Sequence, residues 1–374
     1  MNILLAPDSF KDSLTAPAVA HHLSIGLKAA SSSIHTVAFP LADGGEGTIA
    51  ILHEHLGGEW VELEVQDPLG RPVKGRYSLQ KEEKTAFIEM AEASGIQLLT
   101  KEERQGMRTS TYGTGQLIRH AIEQGARNLY VGIGSSATCD GGTGMAEALG
   151  YTFWQGDQAL TQLCGDQLGQ ITRIDVSEVL PALSEVTCTV ICDVDNPLTG
   201  PQGSAFVYGP QKGVQQSDLP RLDDGLNNLD QVLAQTFAQS FGDRPGAGAA
   251  GGMGAGTMAF LGATLEPGVE LVMKLVGFEE QLLACDLVIT GEGSIDDQTL
   301  NGKLIKGITT RASARKIPVI GIGGRVLLSM EQQQALNLQA AFSLVNGPMN
   351  LEQALANTPQ NLERLGFQIG RLLG

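Results

Sequence analysis

The chain has 374 residues, a formal net charge of −16, 42% hydrophobic residues and 18% charged residues. A chain of this length is too long for a single hydrophobic core, so two domains are expected. The composition is that of a folded protein, which excludes extended disorder. The excess of negative charge argues against nucleic acid or an anionic membrane as a partner, because both attract basic patches.

The two ends of the chain alternate between strand-like and helix-like segments. In the N-terminal part we expect a strand at 3–6, a helix from Ser13 or Thr15 to about 30, a strand at 36–40 and a helix ending near 55. In the C-terminal part we expect strands at 284–290, 318–322 and 340–344, with helices at 301–315, 330–336 and 350–373. Strands that alternate with helices predict a parallel sheet built from crossover connections.

The middle of the chain has a different pattern. Runs at 61–65 and 73–79 flank the turn DPLGRP and predict an antiparallel hairpin. Further strands are expected at 86–90, 186–192 and 204–208, and helices at 223–240 and 253–261. We therefore predict an α/β fold of two domains. One is a doubly wound parallel-sheet domain, Rossmann- or flavodoxin-like, formed by residues 1–60 and 281–374, and the other is a mixed α/β domain at 61–280 inserted into it.

One loop carries the strongest functional signal. An apolar run leads into GIGSSATCDGGTG at 132–144, and a helix is expected from Thr143 to Leu149. Small residues let a backbone approach a ligand closely, and the free N–H groups at a helix N-terminus can bind an anion. A tight strand-to-helix turn would explain a single such loop equally well, but the pattern recurs in this chain and favours phosphate binding. The candidate phosphate-binding residues are Gly134, Ser135, Ser136 and Thr138.

Acidic residues follow apolar runs in the four loops APDSFK, ADGGEGT, CDVDNPL and TGEGSID. In open α/β sheets, ligands bind outside the carboxyl ends of the strands, where carboxylates suit Mg²⁺ or accept a proton from an attacking hydroxyl. For any single loop, an acid that caps a helix or a turn is the better explanation. Four such loops together favour a site. Its candidate acids are Asp8, Asp43, Glu46, Asp193, Asp195, Glu292 and Asp296.

Other glycine and lysine positions give weaker signals. Gly248 and Gly251 belong to PGAGAAGG, which contains a G-x-G-x-x-G match. A helix rather than a strand is expected before it, so phosphate contact and close backbone packing are equally expected. Lys212 in GPQKG, Lys11 in APDSFK and Lys303 are each a counter-charge for phosphate or carboxylate, or a solvated turn lysine.

Cysteine usage and the N-terminus indicate the compartment. The five cysteines form no C-x-x-C pair, and the N-terminal segment lacks the features of a signal peptide. We expect a cytoplasmic protein without a membrane span. Walker A, G-x-S-x-G and H-E-x-x-H motifs do not occur in the sequence, which disfavours P-loop NTPases, serine hydrolases and zinc proteases.

The order of these motifs resembles that of bacterial glycerate kinases of the type 1 family. The matching blocks are APDSFKDSL (6–14), ADGGEGT (42–48), EMAEASG (89–95), TSTYGTG (109–115), GIGSSATCDGGTGMAEALG (132–150), CDVDNPLTGPQGSAFVYGPQKG (192–213), PGAGAAGGMG (245–254) and DLVITGEGSIDDQTLNGK (286–303). They extend over nearly the whole chain. Ser135 and Cys139 stand where the family pattern GIGGSATNDGG has glycine and asparagine.

The resemblance implies ATP-dependent phosphorylation of D-glycerate with Mg²⁺, giving 2-phosphoglycerate, on two α/β domains with a cleft between them. Asp193 is then the expected general base, with Asp8 as its rival, and Lys11, Lys212 or Arg71 is the expected partner of the glycerate carboxylate. The expected site residues are Asp193, Asp8 and Lys11 for catalysis; Gly134, Ser135, Ser136, Thr138, Gly248, Gly251 and Lys212 for the nucleotide; and Asp43, Glu292 and Asp296 for the metal.

Two other classes of function stay open without the resemblance. An NAD-dependent dehydrogenase needs a glycine-rich turn after a strand, whereas the first strand here leads into PDSF. A non-catalytic protein that binds a nucleotide or phosphate could use the same loops, but would not need so many acids beside them. As partners we expect D-glycerate, no nucleic acid and no membrane, with a homo-oligomer left open.

Overall fold

The computed structural model describes residues 1–301 and 304–374. Lys303, one of the candidate cations, lies outside these residues. Contacts between Cα atoms divide the chain into two units. Met1–Asp43 and Val269–Gly374 form the terminal unit, and Gly44–Gly268 form the central unit.

The strands and helices alternate along most of the chain. The β-strands are β1 (Asn2–Leu5), β2 (His35–Ala38), β3 (Glu59–Gln66), β4 (Pro72–Gln80), β5 (Thr85–Glu89), β6 (Asn128–Gly132), β7 (Thr152–Gln155), β8 (Gln158–Leu160), β9 (Arg173–Asp175), β10 (Thr187–Ile191), β11 (Thr264–Glu266), β12 (Leu287–Ile295), β13 (Val319–Val326) and β14 (Ala340–Ser343). The α-helices are α1 (Ala16–Ala30), α2 (Thr48–Leu56), α3 (Ala91–Ser94), α4 (Tyr112–Glu123), α5 (Thr143–Ala148), α6 (Ser204–Tyr208), α7 (Leu219–Phe237), α8 (Ala249–Leu261), α9 (Gly268–Leu275), α10 (Phe278–Leu283), α11 (Leu304–Ala314), α12 (Met330–Ala335), α13 (Leu351–Ala356) and α14 (Thr358–Leu373). Within the described ranges, no helix combines the length and the apolar character needed to cross a bilayer.

The terminal unit is built on a parallel sheet with the strand order β14-β13-β12-β1-β2. The chain leaves β1 towards one edge of the sheet and leaves β12 towards the other. Right-handed crossovers in opposite directions place α1 and α11 on opposite faces, which is the doubly wound arrangement. The order corresponds to that of flavodoxin-like sheets, with the topological switch point between β1 and β12. The predicted fold class, with one doubly wound parallel-sheet domain and one mixed α/β domain, is confirmed.

Helix α1 shows how the local sequence sets an element of this unit. The Thr15 hydroxyl accepts a hydrogen bond from the Ala18 amide at 3.4 Å, and Pro17 lies in the first turn, where its missing N–H costs nothing. The buried face of the helix packs against α14. Gly26 lies at the contact, where a Cβ would overlap the Glu363 carbonyl, so glycine allows the two helices to approach closely.

The central unit contains a mixed sheet with the order β11-β10-β6-β5-β4-β3. The strands from β11 to β5 run parallel, whereas β5, β4 and β3 are antiparallel. The predicted hairpin is confirmed, with Val65 opposite Val73 across β3 and β4. A smaller antiparallel sheet has the order β8-β7-β9.

The boundaries of the units differ from the predicted domain boundaries near residues 60 and 280. Helix α2 packs on β4 and β5 of the central unit, although we assigned it to the N-terminal part. At the other boundary, α10 places the Phe278 ring 6.1 Å from Phe39, and Glu270 of α9 pairs with Arg311, all within the terminal unit. Long-range packing of single helices, which the local pattern does not encode, decides these boundaries.

Some local predictions were wrong. Residues 204–208 form helix α6 and not a strand, and the Gly209 amide donates to Ala205 O at 3.0 Å. The prediction failed because the pattern of a short apolar run does not distinguish a strand from a helix. The loop predicted after residue 290 belongs to β12, whose ladder with β13 continues to Ile295 opposite Val326. The predicted C-terminal helix divides at Asn357 into α13 and α14.

Candidate active site

Acidic residues of the terminal unit gather at the carboxyl ends of its central strands. Asp8 follows β1, and its amide donates to Gly291 O of β12 at 2.8 Å. Burial raises the pKa of Asp8 to about 7, together with the negative charges of Asp43 and Glu292. The acids of these sequence-distant loops therefore lie close enough to repel one another at the switch point, where α/β sheets bind ligands.

Glu292 and Asp296 have different surroundings within this group of loops. Glu292 is buried in β12 and accepts a hydrogen bond from the Thr299 hydroxyl at 2.6 Å. Asp296 accepts from the Ser294 hydroxyl and from the Gln298 amide, both at 3.0 Å, so its carboxylate stabilises the turn that follows β12. A metal-binding role for Asp296 stays a prediction, and capping is the function that its contacts show.

The donor set of the terminal unit fits a divalent cation that is shared with a substrate. Among the described residues, no group of three or more His, Cys, Asp or Glu side chains is arranged to hold a metal. Mg²⁺ needs no such cage, since it usually takes one or two carboxylates together with phosphate oxygens and water. Burial and the charges of Asp43 and Glu292 both raise the pKa of Asp8, and a cation beside these three acids would offset the repulsive part.

Lys11 lies in the same loop as Asp8. Its side chain is exposed, and its backbone nitrogen is 3.6 Å from the position that a Cβ on Gly293 would take. The loop after β1 is therefore adjacent to the acid-bearing end of β12. This placement is compatible with the expected contact between Lys11 and an anionic substrate.

In the central unit, the buried side chain of Lys212 forms hydrogen bonds with the loop from 132 to 138. Lys212 is 2% exposed, and its ammonium group donates to Ser136 Oγ at 2.6 Å and to Thr138 O at 2.8 Å. Burial lowers the pKa of Lys212. Gly134 and Ser135 are the partly exposed residues of this loop. Nucleotide contact by Ser136, Thr138 and Lys212 stays a prediction, and the contacts shown give these residues a role in shaping the loop.

Sequence reasoning missed Asp140, which occupies the N-terminus of α5. Its carboxylate accepts from the Thr111 amide at 2.8 Å, the Thr111 hydroxyl at 2.7 Å, the Gly144 amide at 3.1 Å and the Gly142 amide at 3.3 Å. The Met145 amide is taken by the Thr111 hydroxyl. The anion site predicted at this helix N-terminus was therefore wrong, because a buried side chain already satisfies its amides. The aspartate before Gly-Gly-Thr is a helix-cap signal that could have indicated this.

The glycines at 248 and 251 serve close packing of backbones. A Cβ on Gly251 would overlap the Thr138 carbonyl, and a Cβ on Gly248 would overlap the Pro197 carbonyl. Gly251 also has a φ of 77°, which disfavours a side chain. Of the two explanations, backbone packing accounts for both glycines, while their nucleotide contact stays a prediction.

Asp193 extends from the carboxyl end of β10 as an exposed side chain. Its Oδ1 accepts a hydrogen bond from the Gly268 amide at 2.7 Å. Gly44 has a φ of 97°, and a Cβ there would lie 2.5 Å from Asp193 Oδ2 and 2.8 Å from the Gly268 Cα, so this position needs glycine. The carboxylate is thus both oriented and accessible to solvent, as a general base requires, although the same bond is what a turn-capping aspartate makes.

Ser135 occupies a backbone conformation that suits glycine. Its φ is 54°, in the left-handed region that costs about 1–2 kcal/mol for a residue with a side chain. We expect Ser135→Gly to raise the free energy of unfolding by about 0.5–1 kcal/mol, since the relief of strain exceeds the added entropy of the unfolded chain. Urea unfolding measures the change. The matched control is Ser136→Gly, which loses the Lys212 bond and should destabilise the protein, and a destabilised Ser135→Gly would contradict the argument.

Comparison with known proteins shows the family of this chain. The model of the Glycerate kinase family matches residues 3–374. The chain is 42% identical over 367 residues to a glycerate kinase from Halalkalibacterium halodurans, which covers 98% of this chain and 97% of that protein. It is 39% identical over 373 residues to the glycerate 2-kinase of Escherichia coli, with coverage of 100% and 98%.

A solved structure gives the same result in three dimensions. The crystal structure of a protein from Salmonella typhimurium LT2, provisionally named glycerate kinase 2, matches with a TM-score of 0.89 and 40% identity, covering 100% of this chain and 98% of that one. Because the family model and these relatives extend over nearly the whole length, the chain belongs to the glycerate kinase family and is a phosphotransferase with an alcohol group as acceptor.

Proposed function

We propose that this protein transfers the γ-phosphoryl group of ATP to a hydroxyl of D-glycerate and that the product is 2-phosphoglycerate. The observation that carries the proposal is the match of residues 3–374 to the glycerate kinase family. The relative from Escherichia coli is named glycerate 2-kinase, which supports transfer to the 2-hydroxyl. The alternatives, an NAD-dependent dehydrogenase and a non-catalytic binding protein, have no comparable support.

In the terminal unit we assign the metal to the acids at the switch point. Asp43 and Glu292 are the proposed ligands, with Asp296 as a further candidate, because the first two share their surroundings with Asp8. Bound Mg²⁺ would supply neutralisation of the charge on phosphate oxygens. Lys11, exposed in the loop that carries Asp8, is the proposed partner of the glycerate carboxylate.

In the central unit we assign the nucleotide phosphates to the exposed part of loop 132–138. Gly134 and Ser135 are accessible, while the bonds from Lys212 to Ser136 and Thr138 hold the loop in shape. Gly248 and Gly251 support the neighbouring backbone. Phosphoryl transfer depends mainly on positioning and charge stabilisation, so rigid support of such a loop has a direct effect on rate.

We assign the general base to Asp193, with Asp8 as the alternative. A base must reach the substrate hydroxyl at about 2.6–3.2 Å or through one water. The Gly268 amide engages one carboxylate oxygen of Asp193 and so orients the group on the exposed side of the strand end. Such an oriented carboxylate can accept the hydroxyl proton as the oxygen attacks phosphorus.

A coupled assay of ADP release tests the function. The panel is D-glycerate, L-glycerate, glycolate and D-lactate with ATP and Mg²⁺, and ³¹P NMR of the product distinguishes 2- from 3-phosphoglycerate. We expect turnover with D-glycerate and the 2-phospho product. Turnover that prefers another acid, or a 3-phospho product, would contradict the corresponding part of the proposal. ATP binding by calorimetry without turnover would favour the non-catalytic alternative.

The remaining expectations follow from this function. We propose that the terminal and central units correspond to the two predicted domains. D-glycerate is the proposed small-molecule partner, the net charge of −16 supports the absence of nucleic-acid and membrane partners, and a cytoplasmic location suits a kinase of a small organic acid. A homo-oligomer stays a prediction.

A further inference from the structure

The motif EMAEASG at 89–95 has no role in the function described so far. It begins at the end of β5, where Glu89 Oε1 accepts a hydrogen bond from the Gly47 amide at 2.8 Å. The Ile49 amide also interacts favourably with this carboxylate. Both amides belong to the beginning of α2, which has no side-chain cap of its own. Glu89 therefore caps the start of a helix through a contact with Gly47, which is 42 residues away in sequence.

The other end of the motif forms backbone hydrogen bonds with loop 132–138. The Ala137 amide donates to Ser94 O at 2.9 Å, and the Ile96 amide donates to Ser135 O at 2.8 Å. An isolated antiparallel bridge joins Gly95 to Ser136 between these bonds. The motif thus contacts the start of α2 at one end and loop 132–138 at the other.

The two segments also contact each other. The Ser135 hydroxyl lies 3.4 Å from Glu46 Oε2, and a Cβ on Gly134 would lie 3.6 Å from the Cα of Gly45. A shift of the residues before α2 would therefore displace Gly134 and Ser135, the partly exposed residues of the loop. Protein interiors are packed with few voids, so a displacement of one segment is transmitted to the segments that it contacts.

Glu89 contacts α2 from within a cluster of charged side chains, so the contact depends on the protonation state of Glu89. The side chain lines a cavity of about 280 Å³, into which Glu46, Lys74, Arg76 and Glu92 also project. Arg76 is engaged elsewhere, with its Nε 3.3 Å from Glu92 Oε1 and its guanidinium over the Trp60 ring. Burial, with the charges of Glu92 and Glu46, raises the pKa of Glu89 to about 7.

We propose that Glu89 is a positioning residue, which fixes the start of α2 through the amides of Gly47 and Ile49 and thereby holds Gly134 and Ser135 in place for the nucleotide. The inference rests on the proposed function, because its kinetic effect is read through ATP. Glu89 is not assigned a contact with substrate.

The test compares Glu89→Ala and Glu89→Gln with the control Glu92→Gln. Glu92 lines the same cavity and forms an exposed ion pair, so its variant removes a nearby charge without touching α2. We expect Glu89→Ala to raise KM for ATP about tenfold with a smaller effect on kcat, since uniform binding is lost. Glu89→Gln keeps an oxygen acceptor for the amides and should stay within about threefold of wild type, as should Glu92→Gln.

Hydrogen exchange and stability give readouts independent of turnover. We expect faster exchange of amides 44–52 in Glu89→Ala but not in the other variants. The raised pKa keeps the proton on folded Glu89 between its ordinary value of 4.5 and about 7, so the free energy of unfolding falls as pH rises through this range. Glu89→Gln should remove this part of the slope.

Several outcomes would overturn the inference. Normal kinetics in Glu89→Ala despite faster exchange would show that the position of α2 does not matter. A Glu89→Gln variant as impaired as Glu89→Ala would show that the carboxylate itself acts in the reaction. If Glu89→Ala does not fold, Glu89→Asp shortens the same side chain and gives the comparison. Wild type that fails to phosphorylate glycerate would contradict the proposed function, and the exchange data would still test the contact.

Discussion

Asp193→Asn is expected to lower kcat by roughly 10²-fold or more while ATP binding is retained, in line with usual general-base contributions. The amide cannot accept the proton of the attacking hydroxyl. Its oxygen can still accept the hydrogen bond that Asp193 Oδ1 receives from the Gly268 amide at 2.7 Å, so the local structure should change little. Steady-state kinetics with glycerate, calorimetry with ATP and a thermal melt together measure these effects.

The control for this variant is Asp195→Asn. Asp195 is also exposed and lies in the same loop after β10, so the substitution makes the same chemical change two residues away. It should leave kcat unchanged. A near-native kcat in Asp193→Asn would remove Asp193 from this role and move the search to Asp8 and then to Asp296. A large loss of melting temperature would instead identify Asp193 as a turn cap.

Removal of Mg²⁺ with excess EDTA is expected to abolish turnover while the fold survives. Phosphoryl transfer needs the charge on the phosphate oxygens neutralised, and this chain carries a net charge of −16. Burial, together with the negative charges of Asp43 and Glu292, already raises the pKa of Asp8 to about 7. ATP without a cation would bring further negative charge to this acidic protein. Circular dichroism measures the fold, and addition of Mg²⁺ should restore the rate.

Variants of the proposed ligands sharpen this experiment. Asp43→Asn and Glu292→Gln should raise the Mg²⁺ concentration needed for half-maximal rate, because each removes a carboxylate from the proposed site. Asp224→Asn on α7 is the matched control, since it removes an exposed acid from a helix outside the site. Full activity in excess EDTA would contradict a metal requirement. Unchanged metal dependence in both ligand variants would show that other groups hold the cation.

The alternation of strands and helices at the two ends was readable from the sequence because it depends on local periodicity. The cap of α1, expected at Ser13 or Thr15, is found at Thr15, and the hairpin expected around DPLGRP is also present. The motif blocks also identified the family, since their order spans the chain. The lengths of the elements were harder to predict from the sequence. Strand β12 continues through Glu292 to Ile295 because it pairs with β13, and the local sequence does not encode this pairing.

The fold class, the family and the loops that bear acids and glycines could be predicted from the sequence, because composition, periodicity and residue order encode them. The tertiary structure decided what each polar side chain contacts. Lys212 reaches Ser136 and Thr138 across more than 70 residues, and Asp140 takes the amides that we had expected to bind phosphate. Glu89 reaches Gly47 in the same way. Such pairs form because buried polar groups must find partners wherever the packed chain brings them together, and no local pattern specifies that choice.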